Sequence, residues 1–211
     1  MDLKNLRLNY KKSSIDFKNL TDSPIEFFLT WFDEALKVNK YEANACVLST
    51  ISAQNTPTSR VVLLKSVHEK GFIFFTNYKS NKSTDIENNN NVALNFYWPE
   101  LEKQVRITGK AIKISTKDSD SYFKSRPRES KMGAWLSHQS TEIGLYYNFM
   151  ETLNNLESKF KGKEVERPLN WGGYCIEANS IEFWQGRPSR LHDRLLYELN
   201  GTIWNKKRLA P

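Results

Sequence analysis

The strongest constraint on this chain is a rhythm of short β-forming runs divided by tight polar turns, which occurs twice. From residue 45 the sequence reads ACVLSTIS, SRVVLLKSV, FIFFTN, VALNFYW and KQVRITGKAIKIS, separated by QNTP, HEKG, ENNNN and PELE. The runs are rich in β-branched and aromatic residues, and the separators are rich in turn formers. Connections this short favour antiparallel pairing, because a parallel crossover needs a dozen or more residues. After ERPLNWGG a second set follows: YCIEA, IEFWQG, RLHDRLLYEL and TIWNKKRL. Asn200-Gly201, between the last two, is a strong hairpin signal. So many antiparallel strands hide their edges best by curling into a closed or nearly closed sheet. The expected fold is therefore mainly β with flanking helices (α+β), built on one antiparallel barrel.

Helical patterns surround these runs. SPIEFFLTWFDEALK places Ser23 to N-cap a helix, Pro24 at its first position and Glu26 to complete a capping box. Phe28, Trp31, Phe32, Ala35 and Leu36 then recur at helical spacing and form a packing face. KSNKSTDIE predicts a short helix between strands. Residues 116–160 predict three more, in KDSDSYFKS, SKMGAWLS and the long TEIGLYYNFMETLNNLESKF. Residues 1–20 are polar, basic and aperiodic, and predict a mobile arm. The chain has 211 residues, 39% of them hydrophobic, which suits one domain over 21–211 preceded by that arm.

The net charge of +7 calls for an anionic partner. Nucleic acid, a membrane or a phosphorylated small molecule would each serve, and charge alone does not choose among them. The basic residues are scattered rather than run together, which weakens the nucleic-acid reading. Cys46 and Cys175 each lie in an apolar segment and read as buried reduced thiols. With His68, His138 and His192 they form no metal-ligand spacing, so no metal is expected. No run approaches the roughly 20 apolar residues of a membrane span, and MDLKNLRLNYKK lacks the apolar core of a secretory signal. The expectation is a soluble cytoplasmic protein with no membrane partner.

Candidate binding groups gather where strands end. Arg60 and Lys65 flank an apolar run. Thr76, Ser80, Lys82 and Ser83 lead into a helix start, a natural anion cradle. Tyr122, Arg126 and Ser130 straddle a helix end and a proline turn, and offer a guanidinium fork with two hydroxyls. Gln139 and Ser140 precede the long helical pattern. Trp184 reads as a core position of its strand. In SRLHDRLLY, Arg190, His192 and Arg194 alternate, so an extended chain puts them on one face in steps of about 7 Å, with Leu191 inward on the other. A solvated basic face would look the same. The chain has no nucleophile elbow, Walker loop, dinucleotide fingerprint or His-Glu-x-x-His pair. This donor-rich, acid-poor set suits binding of phosphorylated ligands, with the hard chemistry left to a cofactor.

Taken together, RVVLLK, TNYKSNK, LEKQVRITGKA, YFKSRPRES, GAWLSHQS, WGGY, IEFWQG, SRLHDR and the terminal KRLAP resemble the pyridoxamine (pyridoxine) 5′-phosphate oxidase family, in order and from residue 60 to 211. The resemblance implies an FMN-binding split β-barrel that works as a homodimer, with FMN in a cleft between subunits. It implies FMN contacts from Arg60, Val61, Val62, Leu63, Leu64, Lys65, Phe75, Thr76, Lys82, Gln104, Gln139, Ser140, Trp184 and Arg194. Lys65, Tyr122, Arg126 and Ser130 would hold the substrate phosphate. Arg190 and His192 would act at the substrate ring, with Arg7 and Tyr10 helping to cover it. The implied reaction converts the pyridoxine or pyridoxamine phosphate to pyridoxal 5′-phosphate, with O2 reduced to hydrogen peroxide. Asn81 stands where the family commonly has arginine, and RLNY lacks a second basic residue often found in the arm. Two rivals remain: another flavin-binding split-barrel reductase or binding protein, which need not carry SRPRES or RLHDR, and a non-enzymatic anion-binding module.

Overall fold

The structure, a computed structural model, describes residues 1–6, 8–38 and 42–211. Its frame is a sheet of strands β1 (Ala45–Ile51), β2 (Pro57–Leu63), β3 (Ser66–His68), β4 (Gly71–Asn77), β5 (Asn91–Trp98), β6 (Lys103–Lys113), β7 (Trp171–Gln185), β8 (Asp193–Asn200) and β9 (Ile203–Leu209). The strand order is β2-β1-β5-β6-β7-β4-β3, with β8 also on β7 and β9 on β8. All the pairings are antiparallel.

Strand β7 organises the molecule because it forks. Its first part, Trp171 to Ile176, pairs with β4, and its last part, Ser180 to Gln185, pairs with β8. Strand β6 runs along the other side of both parts, with a register shift at Thr108/Gly109. A bulge of this kind increases local twist and lets one long strand serve two branches of a curled sheet.

The alternation read from sequence is the alternation of burial. Val92, Leu94, Phe96 and Trp98 of β5 point into the core, as do Val105 and Ile107 of β6 and Ile181 and Phe183 of β7. Helix α1 (Pro24–Val38) covers them with Phe28, Trp31 and Ala35. The Glu26 N–H donates to Ser23 Oγ at 3.2 Å as a cap should, but the Glu26 carboxylate accepts from the Thr21 hydroxyl at 2.7 Å. Helices α2 (Asn81–Asn88), α3 (Thr116–Ser125), α4 (Arg128–Leu136) and α5 (Phe149–Lys159) complete the order. Asn200 pairs with Ile203, so the β8–β9 hairpin turns through Gly201 and Thr202, one residue later than the Asn-Gly pair itself. Gly201 has the positive φ of 61° that such turns require.

Three expectations are corrected. The helix over 141–160 begins only at Phe149, because the Asn148 side chain caps it by accepting from the Met150 and Glu151 N–H groups. Gln139 and Ser140 therefore open a loop, with Ser140 at φ 71°. The stretch SRLHDR is not one strand: Pro188–Arg190 forms a 3-10 turn and β8 starts at Asp193. Ser189 and Arg190 take φ values of 57° and 61°, which destroys the strict alternation. Leu191 is consequently not inward but 67% exposed.

Residues beyond Tyr10 are tied to the barrel. Ile15 is buried in the core, and its N–H donates to the Asp193 carboxylate at 3.3 Å. The Tyr197 hydroxyl donates to the Thr21 carbonyl at 2.8 Å. Arg7 lies outside the described residues.

Candidate active site at the two ends of strand β7

At the Trp171 end, β2, β4, α3 and α4 enclose a cleft of about 470 Å³. It is lined by Val61, Val62, Leu63, Lys65, Phe75, Thr76, Lys82, Tyr122, Arg126, Ser130, Gln139 and Trp171, among others. Lys82 projects from the first turn of α2 and is buried. Its ammonium donates to Thr76 Oγ1 at 3.1 Å, Ser80 Oγ at 3.1 Å and Gln139 Oε1 at 3.0 Å. No ion pair to Lys82 forms among the described residues. Burial, with nearby Arg60 adding to it, pulls the Lys82 ammonium down to about 8. A buried cation held only by neutral oxygens is a ready anion site. The Ser80 and Ser83 hydroxyls donate to the Asn77 carbonyl at 2.8 and 2.9 Å, which fixes the turn beneath it.

Arg126 is the second cation of this cleft. It ends α3, its guanidinium lies 4.5 Å from the Trp171 ring centroid, and its buried Nη1 has no hydrogen-bond partner. Desolvation lowers its pKa, and burial raises that of the Tyr122 phenol beside it. Phe75 stacks on Tyr122 at 3.8 Å and on Trp171 at 5.4 Å, forming an aromatic wall. That wall needs Gly173 opposite Phe75, since a Cβ there would come within 2.9 Å of the Phe75 ring. A larger open groove of about 1130 Å³ starts beyond Lys65, Phe75 and Tyr122. Glu69, Asp118 and Glu177 line it beside its bases, so the smaller, acid-free cleft is the better anion site.

Two of the expected flavin contacts in the Arg60–Lys65 run do not line this cleft. Leu64 is buried in the core. The Arg60 guanidinium donates to Thr50 Oγ1 and Thr58 Oγ1, both at 2.7 Å, and lies 3.7 Å from the buried Asp85 carboxylate. Burial lowers the Arg60 pKa, with Asp85 opposing. Ser140 lies just outside, in the loop pocket with Thr141 and Tyr147.

The other end of β7 carries a different set. Gln104, Trp184 and Arg194 stand side by side across β6, β7 and β8. Trp184 is half-buried rather than core, with His192 at 4.6 Å and Tyr10 edge-on at 5.7 Å. The Arg187 N–H donates to His192 Nδ1 at 3.1 Å, so in the neutral ring Nε2 carries the proton. Burial and the Arg190 charge both lower the His192 pKa and keep it neutral. Arg194 Nε donates to Glu182 at 2.8 Å and Nη1 to the Ala210 carbonyl at 2.9 Å. Glu182 is buried and also pairs with Arg106 at 2.8 Å.

The two sets do not meet in one chain. Trp171 and Trp184 sit at opposite ends of β7, on the order of 40 Å of strand apart. The structure thus collects Lys65, Phe75, Thr76, Lys82, Tyr122, Arg126, Ser130 and Gln139 at one end. Gln104, Trp184, His192, Arg194 and Tyr10 gather at the other, beside Arg190. Sequence reasoning missed the supporting groups: Trp171, Asp85, Glu102 and Glu182. Trp171, Glu102 and Glu182 lie inside the runs WGGY, LEKQVRITGKA and IEFWQG, and Asp85 in none of those three, but nothing in a run marks an acid as buried or names its partners.

Residues 32–148 match the profile of the family described as "Pyridoxamine 5'-phosphate oxidase". Residues 171–211 match the "Pyridoxine 5'-phosphate oxidase C-terminal dimerisation region". A pyridoxine/pyridoxamine 5′-phosphate oxidase of Cytophaga hutchinsonii is 48% identical over 100% of this chain and 99% of its own. One from Haemophilus influenzae is 46% identical over 100% of both chains. Among solved structures, PhzG from Burkholderia lata 383, in complex with tetrahydrophenazine-1-carboxylic acid, superposes with a TM-score of 0.87 at 27% identity, covering 94% of this chain and 100% of its own. A related FMN binding protein from Nostoc punctiforme shares the fold at TM-score 0.73 and 14% identity, covering 91% of this chain and 100% of its own. With a split-barrel fold and oxidases matching along its whole length, the chain belongs to the pyridoxamine 5′-phosphate oxidase family.

Proposed function

We propose that the protein is an FMN-dependent oxidase of pyridoxine 5′-phosphate or pyridoxamine 5′-phosphate in the cytoplasm, and that it acts as a homodimer whose active sites are each built from both chains. The observation that carries this reading is the acid-free cleft with two desolvated cations, Lys82 without a counter-ion and Arg126 with an orphaned Nη1 among the described residues. These donors fit two phosphate groups, one on the flavin and one on the substrate. Lys82, Thr76 and Gln139, with Ser140 and the Arg60–Lys65 strand, would hold FMN. Lys65, Tyr122, Arg126 and Ser130 would hold the substrate phosphate. The dimerisation region at residues 171–211 contains Trp184, Arg190, His192 and Arg194. Because the ends of β7 are far apart, these residues, with Gln104, reach a given cleft from the second copy.

When bound, FMN would supply a two-electron acceptor with O2 as the final oxidant, which balances conversion of the alcohol at the substrate's 4′ carbon to an aldehyde with release of hydrogen peroxide (the amine also takes up water and loses ammonia). The chain's own contribution is placement. Anchoring the phosphate fixes one end of the substrate, and Arg190 with His192 fixes the ring, so that the 4′ carbon has one orientation. His192 faces the ring as a neutral donor through Nε2–H, and Arg190 supplies fixed positive charge. Anaerobic addition of pyridoxine 5′-phosphate to the purified yellow protein tests the reading. The flavin absorption band bleaches if it is right; a colourless protein, or an unchanged band, overturns it.

A further inference from the structure

Glu102 stands at the start of the LEKQVRITGKA run without an assigned role, and its placement is unusual. It links the turn Pro99–Leu101 to β6 and takes a left-handed φ of 55°. Its side chain is buried, and no ion pair to it forms among the described residues. A buried carboxylate in that position must be stabilised by hydrogen-bond donors. The donors come from the N-terminal arm: the N–H groups of Lys11 and Lys12 reach Glu102 Oε2 at 2.8 and 2.9 Å. On the main chain, the Glu102 carbonyl accepts from the Gly186 N–H at 2.8 Å and from Gln185 Nε2 at 3.1 Å. Gly186 provides the seat. A Cβ at Gly186 would lie 2.8 Å from Cγ and 2.9 Å from Cβ of Tyr10. The Tyr10 ring therefore rests on bare backbone, and from there it reaches both Trp184 and His192 edge-on. The Tyr97 phenol flanks it, with a pKa raised by burial and by the Tyr10 hydroxyl.

We propose that Glu102 and Gly186 are positioning residues that clamp the arm, so that Tyr10 closes over the Trp184–His192 face and promotes capture of the phosphorylated vitamer without helping to hold the flavin. The proposal rests on the oxidase reading for its kinetic arm only. Glu102 pins two consecutive backbone amides, and Gly186 leaves room for the ring those amides position. Removing either releases the arm while leaving the barrel intact.

The test uses the FMN-loaded enzyme and trypsin, which cleaves after Lys11 and Lys12 only where the segment is free. Glu102→Ala should speed cleavage at these bonds by about tenfold, the loss of roughly one charge-assisted hydrogen bond. Gly186→Ala, whose Cβ displaces the Tyr10 ring, should speed it as well. The kcat/KM for pyridoxine 5′-phosphate should fall by a similar factor of about ten, mainly through KM, while flavin content and Tm stay at wild-type values. Glu102→Gln, which keeps an acceptor oxygen, should fall between. Adding Glu102→Ala to a chain lacking residues 1–12 should cost nothing further. Unchanged cleavage in both alanine variants, loss of flavin, or a full extra loss in the truncated chain overturns the clamp. If the wild-type protein does not oxidise pyridoxine 5′-phosphate, the oxidase reading fails, and protease protection alone decides the clamp.

Discussion

The two ends of β7 are built on opposite principles. At the Trp171 end Thr76, Lys82, Tyr122 and Ser130 stand on regular elements, with Arg126 at the end of one and Gln139 in a loop. The two cations are held before any ligand arrives: Lys82 by three hydrogen bonds, Arg126 by its stack on Trp171. At the Trp184 end the floor is equally regular, with Leu195 and Phe183 buried beneath it. Its roof is not regular. Arg190 lies in a turn with two left-handed residues, and Tyr10 comes from the N-terminal arm. On the proposed function the contrast separates two tasks: a rigid end that would recognise phosphate charge, and an adjustable end that would close on the ring. Enzymes commonly place mobile covers over prebuilt binding sites in this way.

The largest expected effect probes the floor of the adjustable end. Leu195→Ala should lower stability by about 2–5 kcal/mol in denaturant titration, because the residue is only 1% exposed. A near-neutral result would mean that the floor is as soft as the roof. Next comes the rigid end. Arg126→Ala should cut kcat/KM for pyridoxine 5′-phosphate by about 10- to 100-fold, from loss of about 1.5–3 kcal/mol of charge-assisted bonding. Flavin content should hold, and the preference over unphosphorylated pyridoxine should shrink by the same factor. Equal losses on both substrates would show that Arg126 does not read phosphate.

A smaller effect tests the buried ammonium. With Lys82 at about 8 in the ligand-free protein, its charged form is fully present only below that pH. FMN affinity should therefore fall as pH rises above about 8, by up to about tenfold per unit, and Lys82→Met should remove that slope. For stability the sign is opposite. The unfolded lysine binds its proton up to 10.5, so this group makes the ligand-free fold more stable as pH rises from about 8 towards 10.5. An FMN affinity that is flat from pH 7 to 9.5 would contradict the assignment. The smallest effect contrasts the roof with its floor: Leu191→Ala, at 67% exposure, should change stability by no more than about 0.5 kcal/mol.

Much of the frame was legible because it rests on local rules. Strand alternation, the β8–β9 hairpin and the Ser23-Pro24 helix start all follow from neighbours in sequence. What failed was also local but unsignalled. Nothing in SRLHDR announces two left-handed residues, because neither Ser189 nor Arg190 is a glycine. The apolar spacing of TEIGLYYN imitates a helix, yet Leu145 and Tyr146 are almost fully exposed and the helix begins only after Asn148. The site residues could be collected by motif, but their division between two ends of one strand could not, since it depends on how β7 forks. Glu102 was invisible for a further reason: its partners are backbone amides about 90 residues away, and backbone amides leave no mark on side-chain identity.

Subunit complementation tests the central claim most directly, that each site takes one end of β7 from each of two chains. Arg126→Ala breaks the rigid end and Arg190→Ala the adjustable end, and assayed below KM each homodimer should turn over at about a tenth of the wild-type rate or less. Co-expressed, the two chains form mixed dimers in which one site receives both defects and the other neither. With random pairing, the mixture should recover roughly a quarter of wild-type turnover, since half of the dimers are mixed and each holds one intact site. Recovery to that level is the predicted result. Turnover that never rises above that of the separate variants would contradict the shared site and place both ends of the chemistry within one chain.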